Sequence, residues 1–129
     1  MRVATGNEFR TFDKILIEKK FVTHAINFDV NKSTIKPQSI EFITQLAQFL
    51  KANPSVKLEI DGQTDSDGDA AANLKLSQER ANEVKKQLVI AGIIGNRLTT
   101  RGFGASKPIK PNTTEKGKAD NRRVEFIKI

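Results

Sequence analysis

An aspartate in a glycine-flanked loop and an arginine in the helix after it are the residues most suited to chemistry. The loop spans residues 62–68 and contains Asp65, and the following helical pattern contains Arg80. At about 100° per residue, Asn73, Ser77 and Arg80 extend an apolar stripe toward the body of the protein. A buried charge without a partner is too costly to keep, so the guanidinium needs an acidic partner, a ligand or a water-filled cleft. A carboxylate facing a guanidinium suits a ligand that carries both an ammonium and a carboxylate.

The elements that position these residues follow from hydrophobic periodicity. Strands are expected over residues 21–30, 56–61, 98–103 and 122–129, and helices over residues 37–53 and 73–88. The segment 104–121 is expected to be mostly loop, with one helical turn near Glu115. This order predicts an α+β fold: a two-layer sandwich, βαβαββ, with helices packed on a mixed four-stranded sheet.

The first residues show no comparable pattern. Residues 1–20 are expected to form an N-terminal linker or lead-in segment, in which residues 15–17 form a short helix or an edge strand. Residues 21–129 are expected to form one domain, since a chain of 129 residues is long enough for a single core. No apolar run is long enough to span a bilayer, and the first residues do not show the basic-then-apolar pattern of a leader, so we expect any signal or anchor to lie outside this chain.

The charge of the chain is unevenly distributed. The formal net charge is +7, and residues 101–129 contain eight Lys or Arg against three acidic residues. A basic C-terminal segment favours an anionic partner such as nucleic acid, a lipid surface or an anionic cell-wall polymer. A solvated face that keeps the domain soluble explains the same charge equally well.

The residue types argue against catalysis. The chain has no cysteine, which excludes a disulfide framework, thiolate metal sites and a cysteine nucleophile. His24 is the sole histidine, and we expect it to be packed and hydrogen-bonded on the apolar face of the first strand. One histidine cannot build a zinc site, and no base lies near Ser77 in the sequence. We therefore expect no catalytic residue, no metal and no cofactor.

Four motifs in this order resemble the OmpA-like C-terminal domain found in outer-membrane proteins, Pal-type lipoproteins and flagellar stator proteins. The helix signature N-x-x-L-S-x-x-R-A-x-x-V-x-x-x-L is complete over residues 73–88, and the loop signature G-H-T-D-x-x-G occurs over residues 62–68 with Gln63 in place of His. Residues 28–32 and 121–125 match the other two motifs. The similarity covers about four-fifths of the chain, from Ala25 to the C-terminus.

The resemblance implies a binding module that holds the diaminopimelate of the peptidoglycan stem peptide, not an enzyme. Transferred by position, Asp65 pairs with the ammonium of the ligand, Arg80 grips its carboxylate, and Asn73 hydrogen-bonds it at the helix start. The other candidate ligand-binding residues are Asn31, Thr64, Ser77, Arg122 and Arg123. Strand alternation directs one of the two adjacent arginines to the site, and the sequence does not say which. The resemblance also implies a periplasmic location, with attachment to the outer membrane through a region outside this chain.

Three alternatives compete with this interpretation. Asp65 and Arg80 could form a structural salt bridge that fixes the loop to the helix. The basic C-terminal segment could bind a polyanion or nucleic acid, although the chain has no Trp or Tyr on which bases would stack, so no nucleic-acid partner is expected. A protein-interaction domain that forms a homodimer through its sheet edge is the third.

Overall fold

The structure is a computed structural model that describes residues 6–129, with side chains described from residue 12 onward. The described residues contain four α-helices, four strands and one short 3-10 helix (Gly95–Arg97). The helices are α1 (Gly6–Ile17), α2 (Pro37–Ala52), α3 (Ala70–Ile90) and α4 (Glu115–Asn121). The strands are β1 (Lys20–Thr23), β2 (Leu58–Gln63), β3 (Leu98–Gly102) and β4 (Arg123–Lys128).

The strands form one mixed sheet in the order β1-β4-β2-β3. Strands β2 and β3 are parallel, whereas β4 lies between β1 and β2 and is antiparallel to both. Leu58, Ile60 and Phe126 project from the sheet into a core that they share with Leu46 of α2 and Leu88 of α3. The predicted α+β sandwich with a mixed four-stranded sheet is confirmed.

Two glycines bring helix α3 unusually close to the sheet. A Cβ atom on Gly62 would lie 2.2 Å from the carbonyl oxygen of Ser77, and one on Gly102 would lie 2.3 Å from the backbone nitrogen of Gln78. Only glycine permits this approach. The contact places the N-terminal half of α3 directly against the loop that follows β2.

The ends of the two long helices follow from local chemistry. Helix α2 begins at Pro37, where the missing N–H costs nothing. Helix α3 begins after Asp69, whose carboxylate accepts a hydrogen bond from the Ala72 N–H at 2.8 Å. It ends before Gly92, which adopts a left-handed φ of +106° that suits glycine. These boundaries match the predicted helices closely.

The predicted strand over residues 21–30 is wrong beyond Thr23. Strand β1 spans only Lys20–Thr23, and the following segment turns back on itself, with Asn31 at a left-handed φ of +56° and a single bridge between Phe28 and Ile35. Within β1, Phe21 and Thr23 are buried, whereas Val30, which an unbroken strand would contain, is 81% exposed. The alternation of apolar residues thus continues beyond Thr23 into a segment that does not pair with a neighbouring strand.

The N-terminal segment contains a helix that packs into the core. In α1, Phe12 and Ile15 are buried, and the Phe12 ring lies 5.5 Å from Phe21, 5.3 Å from Phe42 and 5.8 Å from Phe49. Of the two alternatives for residues 15–17, the helix is correct. Of the rest of the expected lead-in, residues 1–5 lie outside the described residues, and residues 18–20 form the turn into β1 and its first residue.

Two further differences concern the rim of the molecule. His24 is exposed rather than packed on an apolar strand face, and its Nε2 donates to the backbone oxygen of Asp120 at 2.9 Å. The single turn predicted near Glu115 is the helix α4. It starts after Thr114, and the Oγ1 of Thr114 accepts a hydrogen bond from the Gly117 N–H. Within residues 6–129, no helix has the length and apolar character needed to traverse a bilayer.

Candidate functional site

A cleft of about 750 Å³ opens where the loop after β2, the start of α3, the turn around Asn31 and the start of β4 meet. Seven of the eight residues predicted from the sequence line it: Asn31, Thr64, Asp65, Asn73, Arg80, Arg122 and Arg123. Their elements are separated along the chain by up to ninety residues, and the fold brings them together. The eighth residue, Ser77, does not line the cleft.

Asp65 provides a fixed negative charge in the cleft. The residue is 8% exposed, and its Oδ1 accepts a hydrogen bond from the Asp67 N–H at 2.9 Å, which closes an Asx turn. Its Oδ2 forms a short ion pair with Nη1 of Arg122. The carboxylate is therefore held by its own loop and neutralised by a side chain from the start of β4.

Arg80 lies in the same cleft but donates its hydrogen bonds to backbone carbonyls. Its Nε donates to Lys32 O at 2.9 Å, its Nη2 donates to Asp29 O at 3.4 Å, and its guanidinium lies 4.8 Å from the centroid of the Phe28 ring. Among the described residues Arg80 forms no ion pair with a carboxylate. The alternative of a structural Asp65–Arg80 salt bridge is therefore wrong.

The electrostatics of Arg80 reflect this setting. Burial lowers the pKa of Arg80 from its usual value, the positive charge of Arg122 lowers it further, and only Asp65 opposes the shift. A guanidinium remains charged under these conditions because its pKa starts so high. The shift therefore indicates a cation that an incoming anion would stabilise.

Asn73 and Thr64 shape the loop that carries Asp65. Asn73 Nδ2 donates to Asp67 O at 2.8 Å, so the first turn of α3 fastens the loop. Thr64 Oγ1 donates to Asp65 O at 2.8 Å, and the Thr64 N–H donates to Gly104 O at 2.8 Å. Both residues line the cleft and also fix the backbone around its carboxylate.

Ser77 lies on the buried face of α3 and does not face the cleft. It is fully buried, its hydroxyl donates to Leu74 O at 2.8 Å, and its Oγ accepts from the Gly104 N–H at 2.9 Å. The polar residue on the apolar stripe therefore joins α3 to the loop after β3. A side chain with both hydrogen-bonding functions occupied and no exposed surface is not available to a ligand.

The structure distinguishes the two adjacent arginines. Arg122 extends into the cleft and pairs with Asp65, with about half of its side chain exposed. Arg123 is 5% exposed, pairs with Glu125 at 2.8 Å, and donates to the backbone oxygens of Asn121 and Lys107 at 2.9 and 2.8 Å. Arg122 therefore supplies the accessible charge, and Arg123 is held in a buried network.

Several contributors to the cleft were not predicted from the sequence. The turn around Asn31 holds Arg80 through two backbone carbonyls, and Lys118 of α4 pairs at 3.2 Å with Asp67, which lines the cleft. No spacing rule could have identified carbonyls about fifty positions from Arg80, although Phe28 stood in a recognised motif. Among the described residues, no cluster of three or more His, Cys, Asp or Glu could hold a metal ion.

Comparison with known proteins identifies the same region of the chain. The OmpA family matches residues 27–122, well over half of the sequence. Outer membrane porin F of Pseudomonas fluorescens is 46% identical over 100 residues, which are 78% of this chain and 31% of that protein. The peptidoglycan-binding protein ArfA of Mycobacterium tuberculosis is 37% identical over 102 residues, which are 79% of this chain and 31% of that protein.

A solved structure supports the same relationship. The peptidoglycan-associated lipoprotein from Burkholderia pseudomallei superposes with a TM-score of 0.76 at 26% identity, covering 92% of this chain and 99% of that one. The chain spans only about a third to a half of the length of the curated relatives it matches. From the sequence match and the shared fold, the chain belongs to the OmpA family.

Proposed function

We propose that this domain binds peptidoglycan non-covalently by holding the free end of a diaminopimelate residue in the cleft. One observation carries the proposal: a buried carboxylate, Asp65, and a guanidinium, Arg80, line the same cleft but do not form an ion pair with each other. A ligand with an ammonium and a carboxylate on one carbon complements these two charges. The names of two relatives, a peptidoglycan-binding protein and a peptidoglycan-associated lipoprotein, support peptidoglycan as the polymer that is bound.

Binding in this scheme is an exchange of partners. The ligand ammonium replaces Arg122 at Oδ2 of Asp65, which frees the Arg122 guanidinium to turn toward the ligand carboxylate. Nη1 of Arg80, which has no hydrogen-bond partner in the described part of the chain, donates to the same carboxylate. Charge-assisted bonds of this kind are short and directional, so they fix the ligand without any covalent step.

The wider role that we propose is to tether an envelope protein to the cell wall. The domain would lie in the periplasm, be joined to the outer membrane through a region outside this chain, and leave the polymer chemically intact. The polyanion alternative is weaker because basic residues near the C-terminus already have acidic partners: Lys116 pairs with Asp120, Lys118 with Asp67 and Arg123 with Glu125. A homodimer through β1 or β3, the two edge strands, is a separate possibility that sedimentation would reveal.

The test is calorimetric titration of the protein with two muropeptides that differ at one residue. The diaminopimelate form should bind at least about tenfold more tightly than the lysine form, because a lost charge-assisted hydrogen bond costs roughly 1.5–3 kcal/mol. Arg80→Ala should weaken binding of the diaminopimelate form by about 2–5 kcal/mol. Lys75→Ala, an exposed change on the same helix, serves as the matched control and should bind normally.

Two outcomes would overturn the assignment. Equal affinities for the two muropeptides would show that the cleft does not recognise the second carboxylate. Unfolding of both Arg80→Ala and Asp65→Ala, judged by circular dichroism, would show that these side chains are structural. Release of soluble muropeptides from purified sacculi by the domain alone would contradict the non-enzymatic role.

A further inference from the structure

The face of the sheet turned away from the core is polar and contains a second cavity. Alternation along β2 places Glu59, Asp61 and Gln63 on this outer face, and alternation along β4 places Arg123 and Glu125 beside them. The cavity has a volume of about 410 Å³, within the usual range for a small-molecule site. The residues that complete its lining are Lys20, Arg101, Phe103, Lys107, Pro108, Ile109 and Ile127.

Most charges that line this outer-face cavity are already paired with each other. Glu125 forms ion pairs with Arg123 at 2.8 Å and with Lys20 at 3.3 Å, and Arg101 lies 3.9 Å from Glu59. Because these charges largely neutralise one another, the cavity offers no strong attraction to a highly charged ligand. Selectivity must come from neutral hydrogen-bonding groups.

Two residues that line this cavity carry three buried polar atoms with no hydrogen-bond partner among the described residues. They are Oε1 and Nε2 of Gln63 and Oδ1 of Asp61, and the two residues are only 4% and 5% exposed. A buried polar atom without a hydrogen bond destabilises the fold, so a group that satisfies these atoms would be bound favourably. The set contains two acceptor oxygens and one donor group, the NH₂ of Gln63. Its complement is a group with both an N–H and a carbonyl, which is an amide.

The outer-face cavity adjoins the cleft that contains Asp65. Gln63 and Arg123 line both spaces, and the backbone of β2 runs from one into the other. A polymer held in the cleft could therefore extend its neighbouring groups into the second space. Peptidoglycan carries amides in two places: the acetamido groups of its sugars and the peptide bonds of its stems.

We propose that the outer-face cavity is a second binding site, which takes a neutral secondary amide of the cell-wall polymer. The ligand carbonyl accepts from Nε2 of Gln63, and the ligand N–H donates to Oε1 of Gln63 or Oδ1 of Asp61. The terminal torsion of a glutamine side chain is soft, so the amide turns to meet the incoming group. The proposal rests on the proposed function only in taking its ligand from the cell wall.

The test follows the side-chain NH₂ signal of Gln63 by nuclear magnetic resonance in the isotopically labelled full chain. Three probes are added: the di-N-acetylated glucosamine disaccharide, the same disaccharide without acetyl groups, and a blocked alanine dipeptide that supplies amides without sugar. The acetylated sugar or the dipeptide should shift the Gln63 signal and the backbone signals of Asp61 and Arg101. The probe that acts more strongly identifies the source of the amide.

Matched variants locate the effect. Gln63→Met keeps the length of the side chain but removes its amide, and it should weaken binding of the acetylated sugar or dipeptide by about tenfold or more, read from the Asp61 and Arg101 backbone signals. Gln48→Leu, at an exposed position on α2, should leave binding unchanged. Arg80→Ala should weaken binding of diaminopimelate in the cleft but leave the response to the amide probes unchanged. The two proposals can therefore fail independently.

Three results would overturn the proposal. The first is no shift of the Gln63 signal with either amide probe. The second is an equal response to the sugar without acetyl groups, which would show that no amide is needed. The third is binding by Gln63→Met at the wild-type level.

Discussion

Asp61 should make the stability of the domain depend on pH in a way that one substitution removes. The pKa of the Asp61 carboxyl is raised from 3.8 to about 7, chiefly by burial and then by a hydrogen bond with Glu59 and the negative charges of Glu59 and Glu125, while Arg101 opposes the rise. The other charged groups that face this space are Lys20 of β1, Arg123 of β4 and Lys107 of the adjoining loop. The folded protein thus holds a proton that the unfolded chain releases.

The sign of the effect follows from this difference. Between about pH 4 and pH 7 the folded state binds more protons than the unfolded state, so the free energy of unfolding falls as pH rises and levels off above the folded pKa. One pKa unit corresponds to about 1.36 kcal/mol, so a rise of about 3 units is worth at most about 4 kcal/mol. Asparagine resembles the neutral carboxyl and has no such cost at high pH.

We therefore expect Asp61→Asn to match the wild type near pH 4, to exceed it increasingly up to about pH 7, and to show little further gain at pH 8. Urea denaturation at intervals of half a pH unit measures the difference in the free energy of unfolding between the two proteins. Glu79→Gln, which neutralises an exposed carboxylate on α3, is the control and should show a much smaller pH-dependent difference. A difference between Asp61→Asn and wild type that stays constant across this range would refute the reasoning.

Two further substitutions test how the frame is built. Phe12→Ala should lower the free energy of unfolding by about 3–5 kcal/mol in urea, because it removes the centre of an aromatic cluster; a loss below about 1 kcal/mol would mean that α1 is not part of the core. Gly62→Ala should cost about 1–3 kcal/mol or more, because its Cβ would lie 2.2 Å from Ser77 O, and displacement of α3 should weaken muropeptide binding as well. Gly95→Ala, whose Cβ would meet nothing nearer than 3.8 Å, is its control, and equal stability of the two variants would contradict the close-approach argument.

The sequence was sufficient wherever the determining interactions are local. The 3.6-residue period of α3 and the polar residues on its stripe predicted both the helix and its unusual inward face. The period of β2, with a glycine-flanked loop at its end, placed Asp65 close to Arg80. These are features of neighbouring positions, so a reader of the sequence can combine them.

The remainder depended on contacts between distant segments. The partners of Arg80 are backbone carbonyls of a turn some fifty residues away. Because every residue has a backbone carbonyl, the residue types in the sequence do not indicate which one is used. The alternation from Phe21 to Val30 resembled a strand because periodicity does not reveal whether a second strand is available to pair. The pairing of Asp65 with Arg122 likewise depended on how β4 enters the sheet, which periodicity alone does not fix.

The short ion pair between Asp65 and Arg122 has a consequence for how firmly a single domain can hold the wall. If a zwitterion enters as proposed, one charge pair is broken for each that forms at Asp65, so the net gain per domain is modest. Under that proposal, firm attachment would come from repetition, because several such domains on one surface would meet many identical stems on one polymer, and avidity multiplies weak contacts. Such an attachment resists being pulled away as a whole, while each contact opens and closes independently as the wall is remodelled.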